Sequence, residues 1–167
     1  VYTYIASTVK TTLGGSETEV ALMLMIAGLG MMIFNLVMGQ LADRAMNATA
    51  YLAFGGGIIV LALFPLVVGY GFWAMGLVLL FMGVLGGVST VMQTRLMNVA
   101  GDAKQLAASL HHAAFNTANA LGPFLAARAV EAGHGFPSSS YVGAGLSAVG
   151  LVLFAITLWD ARRSGIE

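Results

Sequence analysis

The length of the intervals between charged residues constrains this chain more than any other feature of its sequence. Of its 167 residues, 59% are hydrophobic and 8% are charged, whereas an average soluble domain carries about 25% charged residues. Glu19 and Asp43 are separated by 23 uncharged residues, and Arg44 and Arg95 by 50. Because an unpaired charge in the bilayer core costs roughly 2.5–3.5 kcal/mol, charges are expected to mark the ends of membrane-spanning helices.

These intervals predict an all-α integral membrane protein with five complete spans and one partial span. About 20 apolar residues cross a bilayer as a helix, so the interval 45–94 is too long for one crossing and divides near the turn signal at 68–72. The predicted complete spans are 20–42, 50–69, 72–92, 105–127 and 141–159. Residues 1–9 are too short to cross, and they are predicted to be the C-terminal end of a truncated helix.

The distribution of basic residues predicts the orientation. Alternating spans place Lys10 and Arg128 on one side of the membrane, and the larger group on the other: Arg44, Arg95, Lys104, Arg162 and Arg163. Since cytoplasmic loops carry an excess of lysine and arginine, the side with five basic residues is predicted to be cytoplasmic. The C-terminus is therefore expected in the cytoplasm and the protein in an inner or plasma membrane.

The composition excludes several classes of function. The chain contains no cysteine, which excludes disulfides, thiolate nucleophiles and cysteine-bearing zinc sites. No pattern of histidines and carboxylates suggests a metal site or a serine-histidine-acid set, so we expect no metal, no cofactor and no enzymatic activity. The net charge is zero, and no basic run could neutralise a nucleic-acid backbone. The bilayer is the expected environment, and nucleic acid is not an expected partner.

A short motif follows the first complete span. The residues that carry it are Gly39, Leu41, Ala42, Asp43 and Arg44. This pattern resembles the loop signature of the major facilitator superfamily, which recurs between the second and third helices of each six-helix half. The resemblance implies a gating loop. The position of Asp43 at a helix end favours its docking on a helix N-terminus or an arginine. The alternative is a solvated loop whose charges only set the topology. The family signature usually continues with glycine and basic residues, whereas here residues 45–48 read Ala-Met-Asn-Ala.

A second stretch, residues 106–123, resembles the penultimate helix of bacterial arabinose-efflux-like and drug-efflux permeases of the same superfamily. Its core reads Phe-Asn-Thr-Ala-Asn-Ala-Leu-Gly over residues 115–122. The resemblance implies that residues 1–167 form the C-terminal half of a twelve-helix transporter in the bacterial inner membrane, whose N-terminal six-helix half is the missing partner. It also implies proton-coupled efflux of small organic molecules by alternating access.

Within this stretch, His112, Asn116, Asn119 and Pro123 follow steps of four, three and four, so they share one helical face. Polar groups at membrane depth need partners, water or substrate, which makes His112, Asn116 and Asn119 candidates for the substrate path. The alternative is interhelical hydrogen bonding, worth about 0.6 kcal/mol per contact.

Several other residues carry narrower expectations. Tyr2 and Tyr4 resemble a Tyr-x-Tyr pair of this family that faces the cavity, with an interfacial aromatic belt as the alternative. Asn35 is expected to bond to a neighbouring helix. Two pairs at helical spacing are predicted, the glycines 83 and 87 as a helix-contact face, and the charged residues 128 and 131 as a local ion pair.

Two functions from other classes stay open at this stage. A passive channel or facilitator would need no titratable group, and a non-transporting helical module would need only contact faces. No carboxylate lies within the predicted spans, so His112 is the only candidate proton carrier here, and the essential acid is expected in the missing half.

Overall fold

The computed structural model describes residues 2–163, which contain helices and turns and no strand. The α-helices are α1 (Ile5–Leu13), α2 (Glu17–Val67), α3 (Phe72–Met82), α4 (Val84–Val99), α5 (Lys104–Ala129) and α6 (Ser139–Arg163). Short 3-10 turns lie at Tyr2–Tyr4, Val68–Tyr70, Gly101–Ala103 and Phe136–Ser138, and a π-helical turn at Val130–His134. The all-α prediction is confirmed for the described part of the chain.

Helix α2 begins with a capping box. The Ser16 backbone N–H donates to the Glu19 carboxylate at 2.7 Å, and the Glu19 N–H donates to Ser16 Oγ. The Ser-x-x-Glu spacing thus satisfies two amide groups that the first helical turn would otherwise leave unpaired. Lys10 of α1 forms an ion pair with Glu17 at 2.5 Å, which ties the two helices together at this end.

The longest helix is broken at a single residue. A straight helix of 51 residues would extend about 77 Å, more than twice the thickness of a bilayer core. At Ala45 the backbone leaves the helical region, with φ −153° and ψ 73°. Met23 and Phe64 lie in one buried cluster, and Ala42 and Ala50 in another. The arms 17–44 and 46–67 therefore fold back against each other, with the reversal directly after Arg44.

The first arm of α2 crosses the α3–α4 helix pair at a contact between two backbones. A Cβ atom added to Gly30 would collide with the backbone of Leu80, and one added to Gly83 would collide with the backbone of Gly30. Small residues permit this approach, which gives helices in lipid their dispersion contacts. Gly83 also separates α3 from α4.

The first arm of α2 and the α3–α4 pair make further contacts closer to Arg44. Gly86 lies against the Asn35 side chain, and Gly87 against Met38. The predicted contact face of Gly83 and Gly87 is confirmed. Thr90 Oγ1 donates to Asn35 Oδ1 at 3.2 Å, which confirms that Asn35 bonds to a neighbouring helix. Because these contacts advance along both elements together, the first arm and the α3–α4 pair run parallel.

Within residues 2–163, three helical segments are long and apolar enough to cross a membrane: Glu17–Tyr70, Phe72–Val99 and Phe136–Arg163. The first of these contains the break at Ala45. Helix α5 contains the predicted span 105–127 but is not among the three, because its histidines and asparagines lower its apolar content. The set of five complete spans and one partial span stays a prediction.

The crossing at Gly30 predicts a difference between two neighbouring glycines. Gly30→Ala should destabilise the full-length protein by about 1–3 kcal/mol, because the backbone of Leu80 cannot move away as a flexible side chain would. Gly28→Ala is the matched control, since nothing lies within 4 Å of its Cβ position. Thermal unfolding in detergent, followed by circular dichroism, measures both. Equal melting temperatures for the two variants would contradict a close crossing.

Candidate functional site

The polar stripe of α5 lies on an exposed face. His112, Asn116 and Asn119 are all exposed. The His112 ring lies 5.8 Å from the ring of His111, centroid to centroid. Among residues 2–163, the three stripe side chains make no hydrogen bond. Their polar groups therefore do not serve as hydrogen-bonding contacts between the helices of this chain, which distinguishes them from Asn35.

One end of the stripe opens into a pocket that also contains the start of the chain. The pocket has a volume of about 270 Å³ and lies between the 3-10 turn Tyr2–Tyr4, α5 and α6. Its polar groups come from Tyr2, Thr3, Asn119 and Ser139. None of the lining residues that the structure describes is charged. The structure thus brings together two of the candidate residues, Tyr2 and Asn119, which are far apart in sequence.

Ser139 adds a feature that the sequence did not reveal. The residue is 2% exposed, and its hydroxyl has no hydrogen-bond partner in the described part of the chain. The neighbouring Ser140 is also buried, but its hydroxyl donates to the carbonyl of Pro137 at 2.8 Å. A buried hydroxyl without a partner costs free energy, and Ser139 lines a pocket where a bound molecule could supply one.

The two tyrosines occupy different environments. Tyr2 lines the pocket, whereas the Tyr4 ring packs on Phe136 with centroids 5.8 Å apart. Phe136 belongs to the turn that precedes α6. Tyr4 therefore joins the start of the chain to this turn and does not line the pocket.

The loop motif occupies the last turns of the first α2 arm. Ala42 is buried and Leu41 is partly buried, while Asp43 and Arg44 are exposed. The Cβ position of Gly39 is in open space. Asp43 makes no ion pair or hydrogen bond with residues 2–163. The docking contact expected for Asp43 is therefore not formed within this part of the chain.

Beside the motif lies an interaction that sequence reasoning missed. Arg95 donates to Asn47 Oδ1 at 2.6 Å, and its guanidinium lies 5.3 Å from the centroid of the Phe154 ring. Asn47 is one of the positions where the chain departs from the loop signature. No local spacing could have indicated the pair, because its members are 48 positions apart in the sequence and only the fold brings them together.

Two further polar contacts complete the description. Ser89 Oγ and His111 Nε2 lie 3.3 Å apart and join α4 to α5. The predicted pair of Arg128 and Glu131 is confirmed by an ion pair of 3.4 Å, and both side chains are largely exposed. In the range 2–163 no three histidines or carboxylates lie close enough together to hold a metal ion.

Comparison with known proteins decides the family. The family model described as Major Facilitator Superfamily matches residues 1–165. The chain belongs to the major facilitator superfamily. No solved structure matches this superfamily member.

Two curated relatives of this major facilitator protein are transporters by name. It is 29% identical over 153 residues to the inner membrane transport protein YdhP of Escherichia coli K12, a match that covers 92% of the chain and 39% of the relative. It is 29% identical over 167 residues to the uncharacterized MFS-type transporter YfhI of Bacillus subtilis 168, covering 99% and 42%. The chain spans about two fifths of the length of these relatives.

We predict that loss of the hydroxyl changes the free energy of unfolding differently at the two adjacent serines of this superfamily member. Ser140→Ala should lower the free energy of unfolding by about 0.5–1.5 kcal/mol, because a hydrogen bond is lost. Ser139→Ala should leave it unchanged or raise it, because its hydroxyl has no partner among the described residues. Thermal unfolding of the full-length protein without substrate compares the two. A larger loss for Ser139→Ala would show that its hydroxyl is bonded.

Proposed function

We propose that the chain is the C-terminal six-helix half of an alternating-access transporter that exports small organic molecules in exchange for protons. In this arrangement residues 1–9 end the first helix, and the complete spans are 20–42, 50–69, 72–92, 105–127 and 141–159. The N-terminal half supplies the remaining six helices. The protein lies in a bacterial inner membrane with its C-terminus in the cytoplasm, because five of the seven basic residues fall on that side of the membrane in the predicted topology.

The observation that carries the proposal is the stripe of His112, Asn116 and Asn119. Three hydrogen-bonding side chains on one face would each be costly against acyl chains, and none has a partner among residues 2–163. Asn116 lies 12 residues into the 26-residue helix α5, about 18 Å along an axis of about 39 Å. The stripe therefore reaches the middle of the helix, the depth at which transporters bind substrate.

The pocket beside the stripe extends the same argument. It places Tyr2 near Asn119 and offers several uncharged hydrogen-bonding groups in a volume of about 270 Å³. We assign the path to the stripe and to this pocket together. Tyr4 supports the path indirectly by fixing the position of the adjoining turn against Phe136.

Labelling of single cysteines tests the path. The 167 residues contain no cysteine, so Asn116→Cys and Asn119→Cys can be introduced into a full-length background cleared of other cysteines. Both should react with a membrane-impermeant maleimide, because a water-filled path admits the reagent. Ala114→Cys and Leu121→Cys are the controls at similar depth on other faces of α5, and they should stay unlabelled. Labelling at positions 114 and 121, together with no labelling at positions 116 and 119, would refute the assignment of the path.

Transport in proteoliposomes tests the coupling. Full-length protein with an imposed pH gradient should accumulate substrate against its concentration gradient, whereas a passive facilitator would only equilibrate it. Asp43→Asn should slow transport severalfold at normal expression, because we assign to the N-terminal half the docking contact that Asp43 does not make within residues 2–163. Arg128→Gln, which removes an exposed charge near the C-terminal end of α5, is the control and should transport normally. Equal substrate accumulation with and without the pH gradient would exclude proton coupling.

A further inference from the structure

Besides the pocket at Tyr2 and Asn119, a cleft lies between α4, α5 and α6, on a different side of α5 from the stripe. It has a volume of about 460 Å³, and its walls are almost entirely apolar. Leu110, Ala114, Leu153 and Phe154 form much of the wall. Among its described lining residues, Arg95 is the one lysine or arginine, and His111 also lines it.

Arg95 is partly buried and has no counter-ion among the described residues. Its guanidinium donates to the neutral amide of Asn47 and lies over the Phe154 ring. Among residues 2–163 no carboxylate lies within ion-pairing distance of it. A guanidinium has five N–H donors in a planar fork that matches phosphate oxygens, and Asn47 accepts only one of them. The cleft therefore combines apolar walls with a positive charge that no carboxylate of residues 2–163 neutralises.

The angular position of the cleft indicates what can reach it. At about 100° per residue, Leu110, His111 and Ala114 lie about 110–170° around α5 from the centre of the stripe. If the stripe faces the central path, as proposed above, the cleft faces away from it. An apolar cleft on that side is open to the hydrocarbon of the bilayer, so acyl chains are its natural occupants.

The depth of Arg95 suits a headgroup. The residue lies four positions before the end of α4 at Val99, about 6 Å along the helix axis. A long arginine side chain can place its charge nearer the membrane surface than its backbone. The neighbouring helix α6 ends with Arg163 stacked on Trp159, at 3.9 Å from guanidinium to ring centroid, an amphipathic pair typical of the interface.

We infer that the cleft between α4, α5 and α6 binds an anionic phospholipid of the adjacent leaflet. The Arg95 guanidinium holds the phosphate, and one acyl chain lies along Leu110, Ala114 and Leu153. Basic pockets between membrane helices on the cytoplasmic side recognise such headgroups. The inference rests on the proposed orientation of the stripe, and it adds a lipid site to the proposed transport path.

Native mass spectrometry of the full-length protein in detergent measures the binding. The probes are phosphatidylglycerol and phosphatidylcholine with identical acyl chains, the first anionic and the second neutral overall. The wild type should retain phosphatidylglycerol in preference. Arg95→Gln should weaken this retention about tenfold, the effect expected for loss of one strong arginine–phosphate contact.

A second variant keeps the test valid if Arg95→Gln disturbs the fold. Ala114→Phe fills the cleft from an exposed position and leaves the bond between Arg95 and Asn47 in place. It should weaken retention of phosphatidylglycerol to a similar extent. The controls are Ala113→Phe, which is exposed but does not line the cleft, and Arg128→Gln at the other end of α5. Both should retain the lipid as the wild type does.

The possible outcomes separate the two proposals. Equal retention of both lipids, or unchanged retention in Arg95→Gln and Ala114→Phe, would overturn the lipid site. Displacement of phosphatidylglycerol by soluble glycerol phosphate would do so as well, because the site would then recognise a free phosphate. Cysteine labelling at positions 116 and 119 tests the path independently, so a failure of the lipid site with normal labelling refutes only the lipid site.

Discussion

The arrangement of this chain depends on the contact between the backbones at Gly30 and Gly83. In lipid no hydrophobic force drives helices together, so their association relies on dispersion contacts and interhelical hydrogen bonds. Absence of a side chain at both positions brings the first arm of α2 against α3 and α4. Once the crossing is fixed, Thr90 lies within hydrogen-bonding distance of Asn35, and the α4 residues farther along face the reversal in α2.

The sequence predicts well what depends on local spacing or on the cost of a charge in lipid. The intervals between charges end the predicted span 20–42 just before Asp43, and the backbone leaves the helical region nearby, at Ala45. Arg128 and Glu131 are one helical turn apart, and they pair. Asn35 is a single polar residue late in an apolar segment, and it bonds across to the next helix.

What the sequence could not predict depends on the folded arrangement of distant segments. Arg95 and Asn47 meet only because α2 reverses and the α3–α4 pair runs parallel to its first arm. The pocket that joins Tyr2 to Asn119 depends on where α6 begins, and nothing in the sequence distinguishes Ser139 from Ser140. The reversal at one residue was also unexpected, because the predicted spans leave residues 43–49 between them.

Under the alternating access proposed for this chain, the break at Ala45 has a mechanical consequence. A long flexible connection would let the two arms of α2 tilt independently. With a reversal at one residue, a rotation of one arm is expected to move the other arm with it. The hydrogen bond between Arg95 and Asn47 also links α4 to the start of the second arm. These elements are therefore expected to rotate together as a rigid body, which leaves the bending to the segments that connect them to the rest of the molecule.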